Sequence, residues 1–204
     1  MSVRVKVCGI TRVEDALSAV RYGVDAIGFV FWEKSARFIT PDLAGQISVK
    51  LPAFINTVGV YVNPTREWVN ETAQVAKLSL LQFHGDESAE FCEQFSYPYI
   101  KAIQVREGLD LLQYAQQHKN ARGLLLDTYS TNMPGGTGQS FDWHLIPEDL
   151  PLPLILSGGL SADNVTEAIQ QTQPWAVDVS SGVEAAKGIK DEKKIIAFMQ
   201  GVRE

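Results

Sequence analysis

The chain has few of the residues that mark secreted, membrane-spanning or metal-binding proteins. Its 204 residues include two cysteines, Cys8 and Cys92, which are too few for a disulfide framework. No apolar run approaches the ~20 residues that a transmembrane helix needs, and residues 1–6 are strand-like rather than a secretion signal. The three histidines lack the close spacing of a zinc site, so we predict no metal. We therefore expect a cytoplasmic protein without a membrane partner.

Positive charge is also scarce. The 18 basic and 24 acidic residues give a formal net charge of -6, which disfavours nucleic acid as a partner. A small anionic ligand is still compatible with this charge, because a local pocket can oppose the net sign. A hydrophobic fraction of 45% and a charged fraction of 21% are typical of globular proteins. The length fits one core, and we predict a single domain over residues 1–204.

Apolar, strand-like runs alternate with stretches of helical spacing along the whole chain. Eight such units in order predict an α/β fold in which a parallel eight-stranded (β/α)₈ TIM barrel is surrounded by helices. The alternative is an open doubly wound sheet, which is disfavoured because no Gly-x-Gly-x-x-Gly turn follows the first strand. The predicted strands are Val3–Val7, Ala26–Phe31, Thr57–Val62, Leu78–Phe83, Tyr99–Ile103, Gly123–Leu126, Leu154–Leu156 and Ala176–Val179.

Several helix-start signals follow the predicted strands. Thr11-Arg12-Val13-Glu14 has the form of a capping box. Thr40-Pro41 pairs an N-cap residue with a proline at the first helical position, and Ser161 is a further N-cap candidate. The last predicted helix runs from about Asp191 to Met199.

Cys8 ends the first predicted strand and is followed at once by Gly9. In a barrel, ligands are held at the rim formed by the carboxyl ends of the strands, so this position is compatible with a functional thiol. The alternative is a small buried hydrophobe, which is the commoner fate of a free cysteine. Position alone favours the buried hydrophobe, and it is the other residues at the strand ends that favour the functional thiol.

Other polar residues follow strands in the same way. Asp127 ends the sixth apolar run and is either a proton-donating carboxyl group or a turn aspartate. Arg37 follows the second strand and is either a carboxylate anchor or a solvated surface arginine. Gln82 and His84 share one face of the fourth strand, where a histidine is either a ligand contact or a structural residue.

Glycine-rich turns follow the last three predicted strands. Bare backbone N–H groups in loops seven and eight of a (β/α)₈ barrel frequently form a phosphate site. The three segments are Gly135-Gly136-Thr137-Gly138, Ser157-Gly158-Gly159-Leu160 and Ser180-Ser181-Gly182-Val183. The first of them lies in the longest irregular stretch, which is either a functional loop or a disordered one.

Taken together, these motifs resemble the phosphoribosylanthranilate isomerase family of tryptophan biosynthesis. The resemblance spans nearly the whole chain in the family's order. It departs at Phe83, where an aliphatic residue is common, and in the aromatic approach from Phe31 to Lys34. The matching segments are Lys6-Val7-Cys8-Gly9-Ile10-Thr11, Ser35-Ala36-Arg37, Gln82-Phe83-His84-Gly85, Asp127, Gly135-Gly136-Thr137-Gly138, Ser157-Gly158-Gly159-Leu160 and Asp178-Val179-Ser180-Ser181-Gly182-Val183-Glu184.

The resemblance implies an Amadori rearrangement of a small phosphorylated substrate, without a cofactor. It makes Cys8 the general base and Asp127 the general acid. Arg37, Gln82, His84 and Asp178 become substrate-binding residues. The implied phosphate-binding residues are Gly136, Gly158, Gly159, Ser180, Ser181 and Gly182. Whether the protein is a monomer or a homodimer stays open.

Two alternatives compete with this function. One is the related aminoaldose–ketose isomerase of histidine biosynthesis, which uses an aspartate where this chain has Cys8. The other is a non-catalytic barrel that binds a phosphorylated metabolite. A thiol and a carboxyl group at one rim favour the anthranilate isomerase over both.

A free thiol has a pKa of about 8.5, so a cysteine base needs help at neutral pH. Lys6 faces the same side of the strand as Cys8, and in a closed barrel the first strand neighbours the strand that carries Asp178. We hypothesise that Lys6, paired with Asp178, favours the thiolate. The alternative is that Lys6 only fills a layer beneath the site.

Overall fold

A computed structural model describes residues 2–128 and 142–204. Within these ranges the predicted barrel is confirmed, because eight parallel strands pair in chain order and β8 pairs back to β1. The strands are rich in Val, Ile and Leu, as expected for parallel strands that are buried on both faces. They are β1 Arg4–Cys8, β2 Ala26–Val30, β3 Asn56–Tyr61, β4 Leu80–Phe83, β5 Tyr99–Val105, β6 Leu124–Thr128, β7 Leu154–Leu156 and β8 Ala176–Val179.

Helices pack around the barrel, and two connections depart from the simple strand–helix repeat. The described part of the connection from β6 to β7 holds a short 3₁₀ helix, Trp143–Leu145, and β8 is followed by a 3₁₀ turn and a small antiparallel hairpin, β9 Glu184–Ala186 and β10 Ile189–Lys190. None of the helices in the described ranges is long and apolar enough to cross a membrane. They are α1 Val13–Arg21, α2 Pro41–Ser48, α3 Arg66–Val75, α4 Ala89–Glu93, α5 Leu111–Gln117, α6 Val165–Thr172 and α7 Glu192–Arg203.

The helix-start predictions have mixed outcomes. The start of α2 is confirmed, because Thr40 Oγ1 accepts from the Leu43 N–H at 3.4 Å and Pro41 is the first helical residue. The capping box at Thr11 is wrong: α1 follows Arg12 without a side-chain cap. The Thr11 hydroxyl donates instead to the Gly188 carbonyl of the β9–β10 hairpin at 2.5 Å. The long-range hydrogen bond to Gly188 therefore uses the Thr11 hydroxyl that the capping motif would need at the start of α1.

The barrel interior is apolar below its rim. Ile100, Ala102, Leu125 and Ile155 fill it, while charged side chains appear toward the carboxyl ends of the strands. A second core lies between the barrel and the helices, where the fully buried ring of Phe83 contacts four other aromatic rings, which come from β3, β5, α4 and the segment that follows α4. This rigid layer fixes the strand ends from which the site is built.

His118 is a buried histidine at the end of α5. Its side chain packs edge-on against Tyr99, and its Nδ1 atom has no hydrogen-bond partner within the described residues. Burial and the nearby charge of Lys101 lower the pKa of His118 to about 4. The folded protein therefore holds His118 in the neutral form, whereas the unfolded chain takes up a proton on this residue near its ordinary pKa of 6.5.

We predict that stability is lost as the pH falls from about 6.5 through about 4, because only the unfolded chain binds the His118 proton in this window. Replacing His118→Phe should flatten this part of the profile by roughly 2–3 kcal/mol. Urea unfolding at a series of pH values measures the effect. The exposed His144→Gln variant is the matched control and should keep the wild-type slope; an unchanged slope in His118→Phe contradicts the prediction.

Candidate active site

The barrel closes where Lys6 on β1 faces Asp178 on β8. The two residues are register partners, and Lys6 Nζ lies 2.8 Å from Asp178 Oδ1 with both side chains 6% exposed. The predicted pairing of Lys6 with Asp178 is confirmed. Although burial opposes its charge, Asp178 and Cys8 raise the pKa of Lys6, so this residue is a permanent cation inside the barrel. Ser157 on the loop after β7 donates to the second Asp178 oxygen at 3.5 Å.

Cys8 lies two residues beyond Lys6, on the same side of β1. Its side chain forms a small buried cluster with Val30 and Val60, against which Trp32 packs, and its register partner is Gly28. A Cβ atom at Gly28 would lie 3.0 Å from Cys8 Sγ and 3.1 Å from Lys6 Cε. The glycine therefore provides the space in which the thiol and the lysine lie side by side.

Four influences act on the pKa of the Cys8 thiol. Burial is the largest and raises it, and the carboxylate of Asp178 adds to the rise. Lys6 and Lys190 lower it, but they do not cancel the effect of burial. The resting protein therefore holds Cys8 as a thiol, with two cations placed to stabilise the thiolate once it forms.

Asp127 is the second-to-last residue of β6 and is 3% exposed. Its Oδ1 atom accepts from the Thr128 N–H at 2.8 Å, and its Oδ2 atom lies 3.1 Å from His84 Nε2. His84 Nδ1 lies 3.0 Å from the side-chain amide of Gln82. The two ring nitrogens of His84 therefore connect Gln82 to Asp127, and the ring tautomer sets which group donates in each hydrogen bond. The structure brings three sequence-predicted residues into one hydrogen-bonded chain that ends at the Asp127 carboxyl group.

A buried lysine that the sequence analysis missed fixes the segment carrying His84. Lys101 Nζ donates to the carbonyl oxygens of Phe83 at 3.3 Å and Gly85 at 2.6 Å, on either side of the histidine. It also donates to Glu87 Oε2 at 3.3 Å. Lys101 lies in the middle of a strand-like run, where a charged residue among buried neighbours was the available signal.

The small residues after β7 and β8 lie between the two proton-transfer candidates. The barrel order β6-β7-β8-β1 places both loops between Asp127 and Cys8. Gly158 has a φ of +87°, and a Cβ there would lie 2.9 Å from Asp127 Oδ1. At Gly182 a Cβ would overlap the Leu160 carbonyl oxygen of the preceding loop. Both positions therefore require glycine.

These loops present free backbone donors. Within the described residues, the N–H groups of Gly158, Gly159, Ser181 and Gly182 donate no hydrogen bond. The Ser180 hydroxyl donates to the Cys8 carbonyl at 3.1 Å and so ties the loop after β8 to the end of β1. Such N–H groups suit a phosphate. Gly136, the sixth predicted phosphate-binding residue, lies outside the described residues.

Arg37 is held by a carboxylate rather than solvated. Its Nε and Nη2 atoms donate to the two oxygens of Glu184, each at 2.8 Å. Lys190 Nζ donates to the same carboxylate at 2.9 Å. The hydrogen bonds to Glu184 raise the pKa of Arg37. Burial acts to raise the pKa of Glu184, but Arg37 and Lys190 together keep this pKa below its usual range.

Sequence analysis gave no role to Glu184 or Lys190. Their connection depends on the hairpin, in which the two residues are register partners across a turn that contains Gly188. A glycine between two short runs was the available signal. Elsewhere, no group of three or more His, Cys, Asp or Glu side chains in residues 2–128 and 142–204 is arranged to hold a metal ion.

We predict that Lys6→Met raises the pKa of the Cys8 thiol further, because a neighbouring cation is removed and Asp178 is left unopposed. The pH dependence of the alkylation rate measures this pKa. Cys92→Ala is the background for all variants, so that one thiol reports. Asp178→Asn should move the pKa in the opposite direction, and Lys6→Arg should restore it. An unchanged thiol pKa in Lys6→Met overturns the hypothesis that Lys6 favours the thiolate.

Comparisons with known proteins agree with this geometry. A family model described as N-(5′-phosphoribosyl)anthranilate (PRA) isomerase matches residues 5–201. A protein of Nitrosospira multiformis named N-(5′-phosphoribosyl)anthranilate isomerase is 69% identical over 202 residues, covering 99% of this chain and 97% of the relative. Its counterpart in Nitrosomonas europaea is 64% identical, covering 100% and 96% of the two chains.

Solved structures extend the similarity to three dimensions. The crystal structure of phosphoribosyl anthranilate isomerase from Thermotoga maritima superposes with a TM-score of 0.90 at 43% identity, covering 98% of each chain. A phosphoribosyl anthranilate isomerase in complex with reduced 1-(o-carboxyphenylamino)-1-deoxyribulose 5-phosphate superposes with a TM-score of 0.87, at the same identity and coverage. On these similarities, which run from end to end, the chain belongs to the phosphoribosylanthranilate isomerase family.

Proposed function

We propose that residues 1–204 form one catalytic domain that isomerises N-(5-phosphoribosyl)anthranilate to 1-(2-carboxyphenylamino)-1-deoxyribulose 5-phosphate in tryptophan biosynthesis. The observation that carries this proposal is the order of groups around the barrel mouth. A carboxyl group on β6 and a thiol on β1 flank two loops with free N–H donors. This arrangement fits a phosphorylated sugar with a proton-transfer group on each side.

Asp127 acts first, as the general acid. Its proton goes to the ring oxygen of the ribose, and the C1′–O4′ bond breaks to give an open-chain Schiff base. The hydrogen bond from the Thr128 N–H to Oδ1 holds the carboxyl group in one orientation, and Oδ2, which lies 3.1 Å from His84 Nε2, is the oxygen that carries the acid proton. A positioned acid of this kind is worth roughly 10²–10⁴-fold in rate.

Cys8 then acts as the general base. It removes the proton from C2′, and the electron pair moves toward the iminium nitrogen to give an enolamine. Lys6 and Lys190 favour the thiolate that this step needs, against the burial that opposes it. The enolamine becomes the ketone by gaining a proton at C1′ and losing the hydroxyl proton at C2′. C2′ of the substrate is oxidised and C1′ is reduced in the same molecule, so the reaction needs no redox cofactor.

The remaining predicted residues bind the substrate in this proposal. Arg37 binds the anthranilate carboxylate, and His84 and Asp178 contact the sugar, with Gln82 acting through His84. The N–H groups of the loops after β7 and β8 bind the phosphate, and their free donors support that role. The phosphate-binding set is Gly136, Gly158, Gly159, Ser180, Ser181 and Gly182.

The setting of the protein follows from the same proposal. A small phosphorylated metabolite is its partner, and the net charge of -6 argues against nucleic acid. We place the protein in the cytoplasm, away from membranes, as a monomer or a homodimer.

We predict that Cys8→Ala and Asp127→Asn each lower kcat by about 10²–10⁴-fold, since each removes one proton transfer. The loss of phosphoribosylanthranilate fluorescence on adding purified protein measures turnover. Cys92→Ala removes the other thiol and should leave kcat unchanged. Wild-type rates in both site variants contradict the assigned roles, and the absence of turnover in the wild type refutes the isomerase itself. The aminoaldose substrate of histidine biosynthesis, tested in parallel, should not turn over.

A further inference from the structure

Arg37 is fixed before any ligand arrives. Its side chain is 13% exposed, and two of its five N–H donors form a fork-to-fork pair with Glu184. The Arg37 backbone N–H also donates to the Ser35 hydroxyl at 3.1 Å. An arginine that is held at its guanidinium and at its backbone loses little freedom when it binds a further group, and its three other guanidinium N–H groups donate no hydrogen bond within the described residues.

Glu184 is in turn fixed by its own hairpin. Lys190, its partner across β9 and β10, donates to it at 2.9 Å, and the Gly188 N–H donates to it at 3.3 Å. The hairpin is tied to the start of α1, where the Lys190 backbone N–H donates to Asp15 Oδ2 at 3.0 Å. The carboxylate of Glu184 is 5% exposed and therefore has little room to move away from Arg37.

The charges of this cluster leave one positive charge unbalanced. Arg37 and Lys190 are cations, and Glu184 is the one carboxylate that faces both of them among the described residues. The neighbouring pair of Lys6 and Asp178 is neutral as a unit. One carboxylate supplied by a ligand would balance the cluster.

We propose that Glu184, held by Lys190, is a positioning residue that presents Arg37 to the carboxylate of the substrate and so gives the site its preference for a carboxylated aromatic ring. The inference rests on the proposed function. It makes the β9–β10 hairpin a specificity element of the isomerase. In this role Glu184 and Lys190 act through Arg37 and do not touch the reacting atoms, and the effect of Lys190 on the Cys8 thiolate is separate from it.

The test compares two ligands that differ in one group. One is reduced 1-(o-carboxyphenylamino)-1-deoxyribulose 5-phosphate, and the other is its phenylamino counterpart without the carboxylate. Glu184→Gln keeps the side-chain volume but removes the charge. It should weaken binding of the carboxylated ligand about tenfold or more and change binding of the other ligand less than about threefold. Lys190→Met, which releases Glu184 from the other side, should act in the same direction.

Two further variants make the comparison specific. In an Arg37→Ala background, Glu184→Gln should have no additional effect on the preference for the carboxylated ligand. Glu33→Gln, an exposed glutamate on the same connection as Arg37, removes an equal charge and should leave the preference unchanged. In turnover, Glu184→Gln should raise KM for phosphoribosylanthranilate more than it lowers kcat.

Each opposite outcome is decisive. Equal weakening of both ligands assigns Glu184 a structural role and overturns the proposal. Tighter binding of the carboxylated ligand by Glu184→Gln overturns it too, because Glu184 would then compete with the ligand for Arg37. A wild type that turns over substrate but shows no preference between the ligands removes the anchor role of Arg37 and the inference, while the isomerase stands. A wild type that binds neither ligand and has no turnover refutes the proposed function itself.

Discussion

The closure of the barrel between β1 and β8 is the constraint on which the site depends. A lysine and an aspartate are register partners at this seam, and both are almost fully buried. Because an unpaired charge in such a place is strongly destabilising, the ion pair penalises any other register of the two strands. The same register places Cys8 two residues further along β1, at the rim. The register between β1 and β8 therefore also determines where the thiol lies.

Two similar buried ion pairs lie near the Cys8 thiol. Two buried lysines each face a carboxylate, Lys6 with Asp178 and Lys190 with Glu184. Burial favours the neutral amine of each lysine and the facing carboxylate favours the charged form; the outcome is a raised pKa for Lys6 and a lowered pKa for Lys190. The lysines can then act on Cys8 over a distance without bonding to a ligand. The side chains of Cys8 and Lys6 leave little space at the rim, which explains why a glycine, Gly28, lies opposite the thiol.

The sequence predicted the parts of the molecule that local patterns encode. The strand runs, the proline at the start of α2 and the position of Asp127 at a strand end are all properties of adjacent residues. The pairing of Lys6 with Asp178 could also be anticipated, because barrel closure makes the first and last strands neighbours. By contrast, the capping motif at Thr11 failed because its hydroxyl bonds a hairpin 177 residues away.

The contacts between site residues were harder to anticipate. Arg37 and Glu184 are 147 residues apart, and no periodicity links them. His84 and Asp127 were each found from their own strand, but the hydrogen bond between them depends on the twist and spacing of β4, β5 and β6. The sequence therefore predicted which polar side chains lie at the end of each strand, whereas the hydrogen bonds between residues of different strands could be found only from the three-dimensional structure.

The pairing of β1 with β8 also has a consequence for folding during synthesis. Cys8 lies on β1, which is synthesised before the other seven barrel strands, whereas Asp178, Glu184 and Lys190 are synthesised after β7. Until they are made, Lys6 has no carboxylate partner, and Cys8 lacks both Lys190 and the loop that holds its carbonyl group. A nascent chain with seven strands complete therefore carries Cys8 and Lys6 without the residues that complete the site. The site is complete only when β8 pairs with β1.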